Sequence, residues 1–224
     1  MALKENFLNP VWNIVSQQPI PQNVNEDSWK WRGGSSGLFS FHPAWDVVRQ
    51  RQDPYQLASM IWFPSSSPKM ATCLLRALQN KLLTRVFLKN IGVSDTDVCV
   101  LCTSSQETIQ HLFFECQFSA YLWSLSRIKL GLTGPILFLQ EEAMLIQEKF
   151  KAKVKSTILT KITLAANVWH IWKERNLRVF QLQQSHKVMV FRRLYEDIRL
   201  LMRTCTWKVD REKELKAKLS NWSV

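Results

Sequence analysis

The sequence predicts a mainly α-helical chain with an N-terminal β-hairpin, a small zinc knuckle between helical segments and a C-terminal helical hairpin. Three patterns carry that expectation. Apolar residues recur at helical spacing from about residue 141 onward, four Cys and His residues lie at metal-ligand spacing between positions 99 and 116, and two alternating segments flank a glycine-serine turn.

The chain has 224 residues, 46% of them apolar, enough for a real core, and a formal net charge of +12. The charge is unevenly placed: residues 1–98 carry +3, residues 99–150 carry −2 and residues 151–224 carry +11. A basic excess of this size points to an anionic partner.

Residues 1–26 are polar and broken by Pro10, Pro19 and Pro21, and read as a loosely ordered lead-in. A first domain is expected over 27–127. Trp29–Arg32 and Gly37–Phe41 both alternate around Gly33-Gly34-Ser35-Ser36, a hairpin signal. Pro43 suits the first turn of a short helix with Trp45 and Val48 inward. Residues 64–68 form a loop, after which Leu74, Leu75, Leu78 and Leu82 follow helical spacing. Thr84 is placed to cap a further turn that ends at Gly92.

The knuckle runs Cys99-Val-Leu-Cys102, then His111, then Cys116. A Cys-x-x-Cys turn sets two thiolates on one side of a tight loop, and a His and Cys separated by four residues supply the other corners of a tetrahedron. On a regular helix, positions five apart are rotated by about 140° from each other, at ~100° per residue. The helix opened by Thr108 is therefore expected to end or distort before Cys116. Three thiolates and an imidazole leave no open coordination position, so the zinc is expected to be structural. A redox pair would need a βαβ setting, which the flanking sequence lacks. Cys73 and Cys205 lie on apolar stripes and read as small core residues, and His42, His170 and His186 have no matching ligand pattern.

The basic helical region spans 141–224. Ile158, Ile162, Ala165, Trp169 and Trp172 make one stripe; Phe191, Leu194, Ile198, Leu201 and Cys205 make a second; Leu215, Leu219 and Trp222 make a short third. The spacing explains Trp169 and Trp172 as core, with base stacking, also open to Trp207, the lesser reading. Lys151, Lys153, Lys155, Lys161, Lys173, Arg175 and Arg178, with Arg192, Arg193, Arg199 and Arg203, are the candidates for non-specific phosphate contact with RNA or DNA.

In order along the chain, Trp29-Lys30-Trp31, Gly37–Ser40, Ser67-Pro68-Lys69, Leu75–Leu78, Asn80-Lys81-Leu82, Leu83-Thr84-Arg85, Cys99-Val-Leu-Cys102, Glu107–Cys116, Trp123 and Ile171–Asn176 resemble the zinc-binding region of plant LINE-type (non-LTR) retrotransposon reverse transcriptases. The resemblance departs at Thr103, where glycine is common, at Gln117, where proline is common, and at Leu75, where an aromatic is frequent. It implies a module that sits beside polymerase or ribonuclease H domains in a polyprotein.

The chain itself carries no Tyr-x-Asp-Asp polymerase core, no evident carboxylate pair for phosphoryl chemistry and no phosphate-cradling glycine loop, so no enzyme is expected. Two functions stand: a nucleic-acid-gripping accessory module, or a structural module that docks polymerase-type neighbours. Met1–Pro10 does not read as a secretory signal, and no run approaches the ~18 apolar residues of a membrane span. The expected location is intracellular, and the family's work on chromosomal DNA implies the nucleus.

Overall fold

The computed structural model describes residues 13–14, 16–17, 29–49, 53–63, 65–149 and 155–204, with 149, 155 and 156 by backbone alone. Lys151, Lys153, Cys205, Trp207, the stripe at Leu215, Leu219 and Trp222, and nearly all of the lead-in lie outside the described residues. The chain divides into two compact units, Met1–Asp53 and Pro54–Val224.

In the first unit the expected β-hairpin is absent. The Trp31 N–H donates to the Gly37 carbonyl at 2.7 Å across a turn, but no strand pairing continues beyond it among the described residues. A two-stranded ribbon is marginal without a third strand or a helix to cover it. The chain instead enters helix α1, Phe41–Val48, with Pro43 still in the first turn, where its missing N–H costs nothing. The alternation serves an aromatic cluster: Trp31 meets Phe39 edge-on at 5.2 Å, and Phe39 meets Phe41 at 5.5 Å. Trp45 and Val48, expected to point inward, are exposed, and α1 buries none of its residues.

Among the described residues, the regular structure of the second unit is helical apart from one isolated bridge. Its helices are α2 (Ala58–Ile61), α3 (Pro68–Leu78), α4 (Arg85–Asn90), a single π-helical turn (His111–Glu115), α5 (Gln117–Leu130), α6 (Leu139–Lys149), α7 (Lys155–Gln181) and α8 (Lys187–Thr204). Proline at the start of α3 and the Thr84 hydroxyl, which accepts from the Phe87 N–H at the start of α4, fix two of the starts. Gly131, at φ +67°, closes α5; there Leu132 N–H reaches back to the Arg127 carbonyl, a left-handed cap that a side chain would strain.

The 27-residue helix α7 is the axis of this unit, and α2, α3, α5, α6, α8 and the π turn all pack on it. The single apolar stripe read from the sequence understates its burial, since Thr157, Thr160, Thr163, Asn167, His170 and Glu174 are buried too. Neighbours on several sides cover this helix, and polar residues survive inside because most find partners. Thr163 Oγ1 donates to the Leu159 carbonyl, and Asn167 Nδ2 donates to Ser126 Oγ and the Thr163 carbonyl. The stripe of α8 lies as expected, with Phe191, Leu194 and Ile198 buried against α7. A second buried knot holds α5 to α6: Arg127 pairs with Glu142, whose carboxylate also accepts from Trp123 Nε1.

His170 Nε2 lies 3.1 Å from Asp197 on α8. Burial holds its proton affinity down, to a pKa of about 4 from 6.5; Asp197 opposes this, and Lys173 and Lys69 add to it. Below pH 6.5 the unfolded imidazole takes a proton that the folded one refuses until about pH 4. Stability should therefore fall across that window as pH drops, read as a falling thermal midpoint. In His170→Gln the fall should flatten; an unchanged slope would remove His170 as its source.

Candidate metal centre

The knuckle is built from a tight loop and a broken helix. Around the loop, Glu107 N–H donates to the Asp97 carbonyl at 2.7 Å, Cys99 N–H to Ser105 at 2.8 Å and Thr103 N–H to Cys99 at 2.8 Å, with one antiparallel bridge between Val98 and Gln106. Cys99 and Cys102 thereby come to one side of the loop.

Thr108 then opens the next turn, its hydroxyl accepting from the His111 N–H at 3.0 Å. The turn that follows is π-helical, and Cys116, at φ −63° and ψ 128°, has left it for extended backbone. The wider turn places His111 and Cys116 on a common side, which a regular helix would not. The distortion expected between these two residues is present.

The Sγ of Cys99, Cys102 and Cys116 and a ring nitrogen of His111 all lie within 4.8 Å of one another. Cys99 and Cys116 sulfurs are 4.0 Å apart, and Cys102 Sγ is 3.3 Å from His111 Nε2. A tetrahedral zinc with Zn–S near 2.3 Å sets its ligand atoms roughly 3.5–3.8 Å apart, so the donor set fits this metal. Cys99, Cys116 and His111 are buried and Cys102 is half-buried. The Cys99 thiol donates to Cys116 Sγ. That bond, with burial, raises the pKa of Cys99; at Cys116 the bond from Cys99 lowers the pKa and outweighs burial, which raises it. Metal binding must displace the Cys99 proton, so zinc loading releases protons and weakens as pH falls. Cys73 stands apart on α3, its thiol pushed up to about 12 by burial, an inert core residue.

Residues 39–123 match the family described as zinc-binding in reverse transcriptase. This segment is a domain of that family, with zinc as its metal. No curated protein and no solved structure matches the chain.

The reverse transcriptase zinc-binding domain does not hold its knuckle alone. Arg175 of α7 donates through Nε and Nη2 to Glu107 Oε1 at 3.0 and 2.8 Å, and through Nη2 to the Leu83 carbonyl. The same oxygen of Glu107 accepts from the Arg85 N–H. Arg178 donates to the carbonyls of Val100 and Leu101, the two residues between Cys99 and Cys102, and stacks on Phe118. Glu174 orients Arg178 at 2.9 Å and accepts from the Ser185 N–H.

Arg175 and Arg178, assigned from sequence to phosphate contact, are thus corrected. Arg175 is 1% exposed, and both arginines face the knuckle. Lys161 also turns inward, donating to the Ser59 carbonyl at 2.7 Å. The residues that sequence reasoning missed are Glu107, Glu174 and the structural role of these two arginines; the run Ile171–Asn176, noted only as a resemblance, was their signal. Lys173, Arg192, Arg193, Arg199 and Arg203 are exposed, and Lys155 is placed by its backbone at the start of α7.

Purified protein should carry one zinc per chain by elemental analysis, and Cys99→Ser and His111→Ala should each lose it together with cooperative unfolding; full zinc content in either variant would exclude that residue as a ligand. Thr103, a β-branched residue, sits at φ +57°, a left-handed conformation that favours glycine. Thr103→Gly should stabilise the zinc-loaded protein by about 1 kcal/mol, after the entropy that glycine adds to the unfolded chain. An unchanged or lower denaturation midpoint would show that the turn is not strained.

Proposed function

We propose that this chain is a non-catalytic, zinc-stapled module of a LINE-type reverse transcriptase that grips RNA or DNA through backbone phosphates. On this reading it acts in the nucleus, on chromosomal DNA or its RNA template. Full occupancy of a tetrahedron by four side chains leaves zinc no position for a substrate or water, which supports a structural metal.

The observation that carries the phosphate contact is the division of α8. Val190, Phe191, Leu194, Tyr195, Ile198 and Met202 are buried on one side, and Arg192, Arg193, Arg199 and Arg203 are exposed on the other. Glu196, paired with Arg192 at 3.4 Å, and the half-buried Asp197, engaged with His170, are the carboxylates that temper this helix among its described side chains. A surface ion pair of this kind contributes little and is readily exchanged for a phosphate.

A second reading, docking against polymerase or ribonuclease H neighbours, is favoured by α1. This helix leaves Phe41, Trp45 and Val48 exposed, at 85%, 63% and 76%.

The test is binding of labelled RNA and duplex DNA over a range of salt concentrations. The phosphate reading expects a linear log–log loss of affinity, with about 0.9 in slope per phosphate on duplex DNA. Replacing Arg192, Arg193, Arg199 and Arg203 by Ala should reduce affinity at least roughly ten-fold and flatten the slope. Absence of binding at low salt would sink this reading and leave the docking module.

A further inference from the structure

Between α3 and α7 lies an open groove none of whose lining cations was assigned to nucleic acid from the sequence, and whose two tryptophans were read there first as core. One wall carries Lys69, Thr72 and Arg76, spaced three and four apart on one face of α3; the other carries Trp169 and Trp172 of α7. Cys73 and Leu82, both buried, form the floor, and Lys81 and Leu83 stand exposed at one end. The groove encloses about 530 Å³, within the ~300–1,000 Å³ of sites that accept a nucleotide-sized ligand.

Two features separate this surface from an ordinary solvated face. No acidic residue lines it, and Lys69, Arg76 and Lys81, with neighbouring Lys173, have no carboxylate partner among the described residues. Four arginines elsewhere in the second unit find one, Arg127 with Glu142, Arg175 with Glu107, Arg178 with Glu174 and Arg192 with Glu196, while Arg193, which reaches only the Ser185 hydroxyl among the described residues, shares the condition of the groove cations.

The second feature is aromatic. Trp169 and Trp172 are half-buried and open into the groove, whereas a purely packed pair would be closed over. The Arg175 guanidinium lies over the Trp172 ring at 4.8 Å, which fixes the ring and takes one of its faces. Lys69 Nζ lies 5.5 Å from the centre of the Trp169 ring.

From this geometry we propose that the groove binds single-stranded nucleic acid, with Lys69, Arg76 and Lys81 on the phosphates and Trp172 stacking a base. The inference rests on the phosphate-contact reading above and says where, and in which form, the nucleic acid is held. Stacking needs a base free of its own helix, and a duplex offers none. Unpaired cations above an aromatic wall are the combination that single-strand grooves use without reading sequence.

The test uses the full zinc-loaded chain with a dye-labelled oligouridine strand and a duplex DNA of matched length, followed by fluorescence anisotropy. The wild type should favour the strand. The triple variant Lys69→Ala, Arg76→Ala, Lys81→Ala should lose about ten-fold or more in strand affinity, and its salt slope should shrink by about 2, near 0.7 per phosphate. Trp172→Ala should cost roughly five- to hundred-fold, and Trp172→Phe should restore most of it. Zinc content and thermal midpoint establish that each variant is folded, and the triple variant alters only exposed side chains.

The comparison variant is Arg192→Ala with Arg199→Ala. If that pair loses strand binding and the groove variants bind like the wild type, the groove is not the site, while phosphate contact through α8 survives. If the duplex is preferred and the groove variants do not change that preference, the single-strand assignment is overturned. If the wild type binds neither probe at low salt, the groove assignment and the phosphate reading fall together.

Discussion

The contact on which the second unit depends most is the one between the Arg175 guanidinium and the Glu107 carboxylate, both removed from solvent. It joins residues 68 apart in sequence and lies where the metal knuckle, the start of α4 and the axis helix α7 converge. Charges taken out of water at this depth are tolerable only when hydrogen bonds surround them. Here Arg175 is satisfied by Glu107, Leu83 and Asn176, while Glu107 keeps one oxygen without a hydrogen-bond partner. The arrangement is less a source of net stability than a device for specifying one orientation of the knuckle on α7.

Arg178, less than one turn further along α7, extends the same logic to the loop itself. Its hydrogen bonds go to the backbone between Cys99 and Cys102, where a side-chain substitution would leave the acceptors in place. Metal and helix thus constrain the loop from opposite sides: the four donors close it around zinc, and α7 supplies donors for its outward carbonyls. The loop has little else to hold it, since Thr103, Ser104, Ser105 and Gln106 are all exposed. The exposed, polar stretch 103–106 and the polar burial of α7 are two sides of one arrangement.

Local chemistry was legible in the sequence where it was decided locally. The cap at Thr84 and the break between His111 and Cys116 follow from residue type and helical geometry alone, whereas Pro68, read as the end of a loop, is the first residue of α3. The four clustered side chains were legible for a related reason, because metal coordination restricts spacing. The hairpin reading failed at Phe39 and Phe41, where alternation reflects aromatic packing rather than strand pairing. Arg175 and Arg178 were misplaced because a charge count cannot tell a cation facing solvent from one facing a carboxylate far away in the chain. Lys69, Arg76 and Lys81 were passed over for the converse reason, as they lie outside the most basic third and gain meaning only when α3 is laid beside Trp169 and Trp172.

The π turn bears on how such a domain can vary over evolutionary time. A π-helical turn is an α-helix that has taken in one extra residue. Losing any one residue between His111 and Cys116 would restore a regular helix and swing the cysteine by ~100° about its axis, away from the other three donors. Gaining one would do the reverse. Loop residues such as Ser104 and Ser105, which face solvent, are under no such rule. Insertions and deletions should therefore accumulate before His111 and be excluded from the four residues after it, so that related domains keep this interval while their surfaces diverge.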